Sequence, residues 1–186
     1  MKSRLVRALW AIAFCLSGCA SPHQAVSDLQ GNRVDPFTGK PAVAVTLVFV
    51  SNDCPISNRY VPELNRLYER FAAQGIVFWL VHADPSETSA IIRAHAQEYE
   101  LRVPELRDPK HELVRMAQVA VTPSAAVFTP DGRLLYRGRI DDRFVALGRE
   151  RPEAQRHDLA EALEAVVNHR PVAVAVTPAV GCYIPE

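Results

Sequence analysis

A chain of 186 residues with 48% hydrophobic content carries enough apolar material for one folded domain with extensions, which argues against disorder over most of its length. Its formal net charge is zero, and no basic stripe interleaved with aromatics is present. Together these exclude a polyanion-binding surface, so no nucleic-acid partner is expected.

The chain opens with Lys2, Arg4 and Arg7, followed by a short apolar stretch from Ala8 to Leu16. That stretch is too short to span a bilayer comfortably and has the build of an export signal. It ends in Leu16-Ser17-Gly18-Cys19, which resembles the bacterial lipobox. The resemblance implies cleavage before Cys19, lipid attachment at Cys19 and a membrane anchor. The expected location is the bacterial cell envelope, facing the periplasm, with Ala20 after the cysteine favouring the outer membrane. The predicted divisions are a signal peptide over 1–18, a tether and loose lead-in over 19–42, a domain over 43–170 and a tail over 171–186. Of the four cysteines, Cys15 leaves with the signal and Cys19 is consumed by lipid. Cys54 and Cys182 remain, in a compartment where two thiols can pair.

Residues 43–50 form a continuous apolar run of the kind buried on both faces of a sheet. Val61, Leu64, Leu67, Tyr68 and Phe71 recur at helical spacing, and Gly75 ends that helix. Residues 76–81 predict a second buried strand, and Ile91, Ile92, His95 and Tyr99 a helix over 86–99. Asp108-Pro109 predicts a capped start to a short helix reaching about Val119. Residues 125–128 and 133–140, joined by Pro130-Asp131-Gly132, predict a hairpin. Asp158 is expected to cap a last helix, and residues 171–176 to lie along the domain as an added strand. A βαβ unit feeding a hairpin and a closing helix predicts an α/β fold: a central mixed sheet with helices on both faces.

The stretch Ser51-Asn52-Asp53-Cys54-Pro55-Ile56-Ser57-Asn58 places a thiol where the first strand gives way to a helix. Only the thiolate attacks, and a free thiol near pKa 8.5 is mostly protonated at neutral pH. A helix N-terminus favours the anion, Pro55 suits the first helical position, and Ser57 offers a hydroxyl. Asp53 works in the opposite direction. A lone nucleophile needs a second thiol for its release. Ser57 cannot supply one, so Cys182 is the candidate resolving thiol. The alternative leaves Cys182 free on a loose tail.

The strand–Cys54-Pro55–helix junction, Val121-Thr122-Pro123 before the hairpin, and the Pro-Asp-Gly turn resemble the thioredoxin fold. In that fold a cis-proline, here Pro123 after Thr122, lies beside the active cysteine. Ser51-Asn52-Asp53-Cys54 resembles the Thr/Ser-x-x-Cys core of the peroxiredoxin-like AhpC/TSA (redoxin) group. Two departures stand out, since Leu47 occupies the position of that group's usual proline and Thr122-Pro123 lacks its arginine. The TlpA-like branch is similar at the cis-proline but expects Cys-x-x-Cys, where this chain has Ser57. CPISNRYVPEL, YRGRIDDR and GCYI resemble envelope redoxins. The resemblance implies a thiol-dependent oxidoreductase without a cofactor, with Cys54 as nucleophile and Cys182 as its partner. Ser51, Pro55, Ser57, Thr122 and Pro123 would support them. Protein thiols and disulfides or small peroxides would be its substrates, with an external thiol reductant, and thiol exchange is favoured.

The rival class is a copper- or haem-assembly binding module using Cys54 with Cys182 or His82. It is weakened by only two methionines, and no metal site is expected from ligand spacing. Histidines 95, 111, 157 and 169 fall on helices or their ends. Arg139, Asp141, Asp142 and Arg143 read as a solvated charge run, with rimming of the site as the alternative.

Overall fold

The computed structural model describes residues 26–39 and 42–185. Cys19 and the rest of the signal and lipobox reading lie outside these residues. A six-stranded sheet organises the domain, built on the strands β1 (Ser27–Asp28), β2 (Ala44–Val50), β3 (Ile76–His82), β4 (Glu105–Arg107), β6 (Ser124–Phe128) and β7 (Leu134–Gly138). Their spatial order is β1-β4-β3-β2-β6-β7. Strands β2, β3 and β4 run parallel, while β6 and β7 run antiparallel to their neighbours, as does β1. The expected mixed sheet is present.

The run at 43–50 is apolar except for Thr46 because β2 is central, paired on both sides and covered on both faces. Its side chains alternate. Ala44, Val48 and Val50 join one apolar cluster, and Val45, Leu47 and Phe49 join the other. Helix α1 (Pro55–Ala72) lays Ile56, Tyr60, Leu64, Leu67 and Phe71 on the first cluster, as does α4 (Asp158–Val167) with Leu159, Ala162 and Leu163. Helix α3 (Glu112–Ala117) covers the opposite face with Leu113 and Ala117. Helix α2 (Ser89–Glu98) buries Ile92 but leaves Ile91 exposed, so its apolar face is narrower than the sequence spacing predicts.

Several boundaries differ from the sequence expectation, each for a local reason. The segment expected as a loose lead-in docks from Val26 onward, with β1 pairing β4 and Val26, Val34 and Phe37 packing on the α3 face. Asp108 does cap α3, but from four residues upstream. Its carboxylate accepts from the backbone N–H groups of Glu112, Leu113 and Val114, so the helix starts later than Pro109 implies. Asp158 does not cap α4 with its side chain; it lies inside the first turn and pairs with Arg139 at 2.7 Å.

The tail follows the domain closely. Arg137 N–H donates to the Ala175 carbonyl at 2.9 Å and Thr177 N–H donates to the Arg137 carbonyl at 3.0 Å, making one parallel bridge beside β7 rather than a full strand at 171–176. This approach is close enough that a Cβ on Gly138, which also has φ +145°, would collide with Thr177. Farther on, β10 (Cys182–Tyr183) pairs antiparallel with β5 (Val121–Thr122).

Candidate active site

Cys54 sits at the N-cap of α1 with extended backbone (φ −86°, ψ 109°), and Pro55 opens the helix. Asn58 N–H bonds the Cys54 carbonyl at 3.1 Å, closing the first turn. The N–H groups of that turn therefore lie beside the sulfur, where they favour a negative charge. Cys54 is only 1% exposed. As a thiol it donates to the Thr122 carbonyl oxygen at 3.2 Å. The Thr122–Pro123 peptide bond is cis, as the thioredoxin-like resemblance implies.

The β10–β5 register sets Cys182 directly opposite Thr122. The same Thr122 thus touches Cys54 through its carbonyl and borders Cys182 through the strand pair, and its hydroxyl donates to the Cys182 carbonyl at 3.5 Å. The close approach depends on Gly181, because a Cβ there would run into the Thr122 carbonyl group. Both cysteines are free thiols. Burial pushes the Cys54 thiol up, but hydrogen bonding from the Cys182 thiol and from Ser57 outweighs it and brings the pKa below the ordinary thiol value. Burial and the neighbouring Cys54 sulfur push the Cys182 thiol up to about 11. When the pair loses a proton, Cys182 keeps its own and the charge falls on Cys54.

Ser57 is buried beside Cys54, where its hydroxyl and backbone N–H help lower the Cys54 pKa. Ser51 instead donates its hydroxyl to Glu87 at 3.0 Å. Asp53, expected to oppose the thiolate, is exposed, where water screens its charge. His82, considered as a ligand or base, is buried at the end of β3 with both ring nitrogens engaged: Nδ1 with Glu87 at 2.8 Å and Nε2 with Glu105 at 3.0 Å. Burial lowers the His82 pKa, but the two carboxylates more than offset this and leave it above its ordinary value. Glu87 also accepts the Asn52 N–H at 2.7 Å. The His82–Glu87 pair therefore clamps the loop that presents Cys54. Sequence reasoning missed Glu87 and Glu105. A buried histidine ending an apolar strand was the available signal, because such a group needs polar partners.

Asp141 and Asp142 are neither solvated nor on the rim. Asp141 accepts from the Tyr60 hydroxyl and from Arg143 N–H at 2.9 Å. Asp142 accepts from the backbone N–H groups of Gln155 and Arg156 at 2.7 and 3.0 Å. Both fold the 139–158 segment onto the domain. That segment carries a hairpin the sequence reading lacked, β8 (Phe144–Ala146) with β9 (Arg149–Glu150). Between the hairpin and the start of α1 lies a pocket of about 340 Å³, lined by Pro55, Ile56, Phe144, Leu147 and Cys182 among others. Among the described residues no group of three or more His, Cys, Asp or Glu could hold a metal ion, and no helix is long and apolar enough to cross a membrane.

Comparison with known proteins places this geometry among relatives. The family model described as AhpC/TSA matches residues 17–137. The thiol-disulfide oxidoreductase ResA of Bacillus thuringiensis subsp. konkukian is 25% identical over 120 residues, 63% of this chain and 66% of ResA, so the match spans just under two thirds of that relative. The crystal structure of an uncharacterized conserved protein from Geobacillus kaustophilus superposes with a TM-score of 0.73 at 26% identity, over 87% of each chain. StoA from Bacillus subtilis superposes with a TM-score of 0.53 at 17% identity, over 77% of this chain and 96% of StoA, a likeness of fold. The fold is thioredoxin-like.

Proposed function

Because the chain belongs to the AhpC/TSA family, we propose that it is a thiol–disulfide oxidoreductase that cycles Cys54 and Cys182 between a dithiol and a disulfide. The observation that carries this reading is the β10–β5 register, which sets Cys182 against the sulfur at the head of α1. When the Cys54–Cys182 bond forms, two electrons and two protons pass to a substrate disulfide, giving two thiols; in the reverse direction a substrate dithiol is oxidised. Cys54 carries the negative charge as the nucleophilic sulfur. Ser57, Pro55 and the helix start stabilise it, Thr122 and Pro123 align the pair, and Ser51 ties the loop to Glu87. The name of the ResA relatives, at 25% identity, supports exchange with protein thiols. Exchange is preferred to peroxide reduction because Leu47 stands where the peroxiredoxin-like pattern has a proline, and the region of Thr122-Pro123 lacks that pattern's arginine. His82 has both nitrogens committed to carboxylates, which removes the support it lent to a metal-binding role.

The lipobox-like Leu16-Ser17-Gly18-Cys19 supports attachment through Cys19 to an envelope membrane, with the domain facing the periplasm and the outer membrane as its destination. Non-reducing peptide mapping of the full chain after equilibration in a glutathione redox buffer tests the central reading. A peptide joining Cys54 to Cys182 is expected, and exchange with a disulfide peptide should be lost in Cys54→Ser. Recovery of Cys182 as a free thiol, with Cys54 bound only to external thiols, would reduce the protein to a one-thiol enzyme.

A further inference from the structure

The two sulfurs differ in who can reach them. Cys54 is 1% exposed behind the β10–β5 pair, whereas Cys182 is half-buried and forms part of the pocket wall. The rest of that wall is mostly carbon: Pro55 and Ile56 from the helix start, Phe144 and Leu147 from the hairpin. Leu147 is 67% exposed, an apolar side chain held at the pocket edge with little to cover it. Arg59 stacks over the Phe144 ring at 5.6 Å and is held by Glu150 at 2.7 Å, so its charge is already paired. At about 340 Å³ the pocket is at the small end for ligand sites, suited to one side chain or a small thiol.

Resting on the Cys54–Cys182 reading, we propose that the oxidised protein is attacked by its substrate at Cys182, from this pocket, and that the substrate is a thiol bearing an apolar group beside its sulfur. The substrate thiolate bonds to the Cys182 sulfur, the Cys54–Cys182 bond breaks, and its electron pair leaves on Cys54. The second thiol of the substrate, as thiolate, then attacks the substrate's own sulfur. This forms the substrate disulfide and returns the electron pair to Cys182, which takes up a proton. Two electrons have moved from the substrate dithiol to the protein.

The chemistry of leaving groups agrees with the geometry. Exchange is faster when the expelled sulfur has the lower pKa, and Cys54 is the sulfur whose charge the helix start, Ser57 and the Cys182 backbone N–H stabilise even after the Cys182 sulfur has bonded the substrate. The proposal exchanges the roles given to the two sulfurs under the proposed function: Cys182 bonds the substrate, and in the reverse direction attacks a substrate disulfide, while Cys54 resolves the mixed disulfide. Cys54 remains the stabilised thiolate, yet the substrate's covalent link is to Cys182.

The experiment uses the oxidised full chain, first shown by peptide mapping to contain the Cys54–Cys182 disulfide. It is mixed with excess benzyl mercaptan, quenched in acid at short times, alkylated and mapped by mass spectrometry. A benzylthio adduct on Cys182 with alkylated Cys54 is expected; the adduct on Cys54 with alkylated Cys182 overturns the proposal. In a second arm, Leu147→Asp should lower the rate with benzyl mercaptan relative to 2-mercaptoethanol by about fivefold, and an unchanged ratio overturns the pocket's part in selection. If the first mapping finds no Cys54–Cys182 disulfide, the proposed function itself falls, an outcome distinct from an adduct on the wrong sulfur.

Discussion

Replacing Gly181 with alanine tests whether strand docking, rather than mere presence of a second cysteine, makes the redox pair. The added Cβ would sit 2.6 Å from the Thr122 carbonyl carbon and 3.1 Å from the Pro123 nitrogen, and closer still to the carbonyl oxygen. These are backbone atoms of a segment fixed on both sides, so they cannot swing away as a side chain would. Restoring ordinary contact with the carbonyl oxygen, the nearest atom, requires β10 to retreat by more than about 1 Å, and overpacking of this kind costs about 1–3 kcal/mol. The tail can lift away more easily than the sheet can deform. The cost therefore falls on the docked state, in which Cys182 lies beside Cys54. The equilibrium constant for forming the Cys54–Cys182 disulfide, measured by mass spectrometry across a series of glutathione redox buffers, should drop by about five- to 150-fold. Global stability should change less, because the clash is with the Thr122–Pro123 segment rather than with the six-stranded sheet. A disulfide equilibrium unchanged within twofold would refute the claim that close β10–β5 pairing brings the thiols together.

Cys182→Ala removes a hydrogen bond that lowers the Cys54 pKa, so the pH midpoint of Cys54 alkylation should rise relative to wild type; a midpoint that stays in place contradicts the hydrogen bond from Cys182 to Cys54. Oxidised wild type should melt above the reduced form, since a bond closing so long a loop contributes up to about 4–5 kcal/mol in the chain-entropy model, and Cys182→Ser should abolish the difference in calorimetry. His82→Leu would strand Glu87 and Glu105 without their shared partner and should cost about 3–5 kcal/mol in urea unfolding. Because the folded His82 pKa is raised above 6.5, the stability it contributes is complete below that pH and is lost as the pH rises through the folded value; a ring already neutral by NMR at pH 6.5 would rule this out.

Much of the fold was legible because its signals are local and redundant. The run at β2, the apolar spacing of α1, and Cys54-Pro55 at their junction each demand the structure observed, and Thr122-Pro123 marked the opposite side of the site. What escaped the sequence depends on distant partners. Asp141 and Asp142 looked like surface charge because nothing nearby in the chain shows that Tyr60 and the backbone at 155–156 will reach them. Glu105 escaped for the same reason, since it reaches His82 only when β4 pairs with β3; Glu87 lies five residues from His82 and was missed because that histidine was not read as buried. The β8–β9 hairpin is short, with neither strand long enough to show a two-residue period. Asp108 misled by being a true capping residue that acts from outside the first turn.

The pairing of β10 with β5 also bears on the order in which the protein becomes complete as it is made. Everything that stabilises charge on Cys54 from its own helix is encoded by residue 58, whereas the partner sulfur is added only after the six strands of the main sheet and the four helices of the described residues. Contacts between segments so far apart in sequence close slowly compared with local ones. A newly made chain therefore passes through a stage with a nearly finished core in which Cys54 has its helix start and Ser57 but not the hydrogen bond from Cys182. During that stage Cys54 is open to any passing disulfide, and the arrival of the tail both ends the exposure and creates the two-sulfur centre.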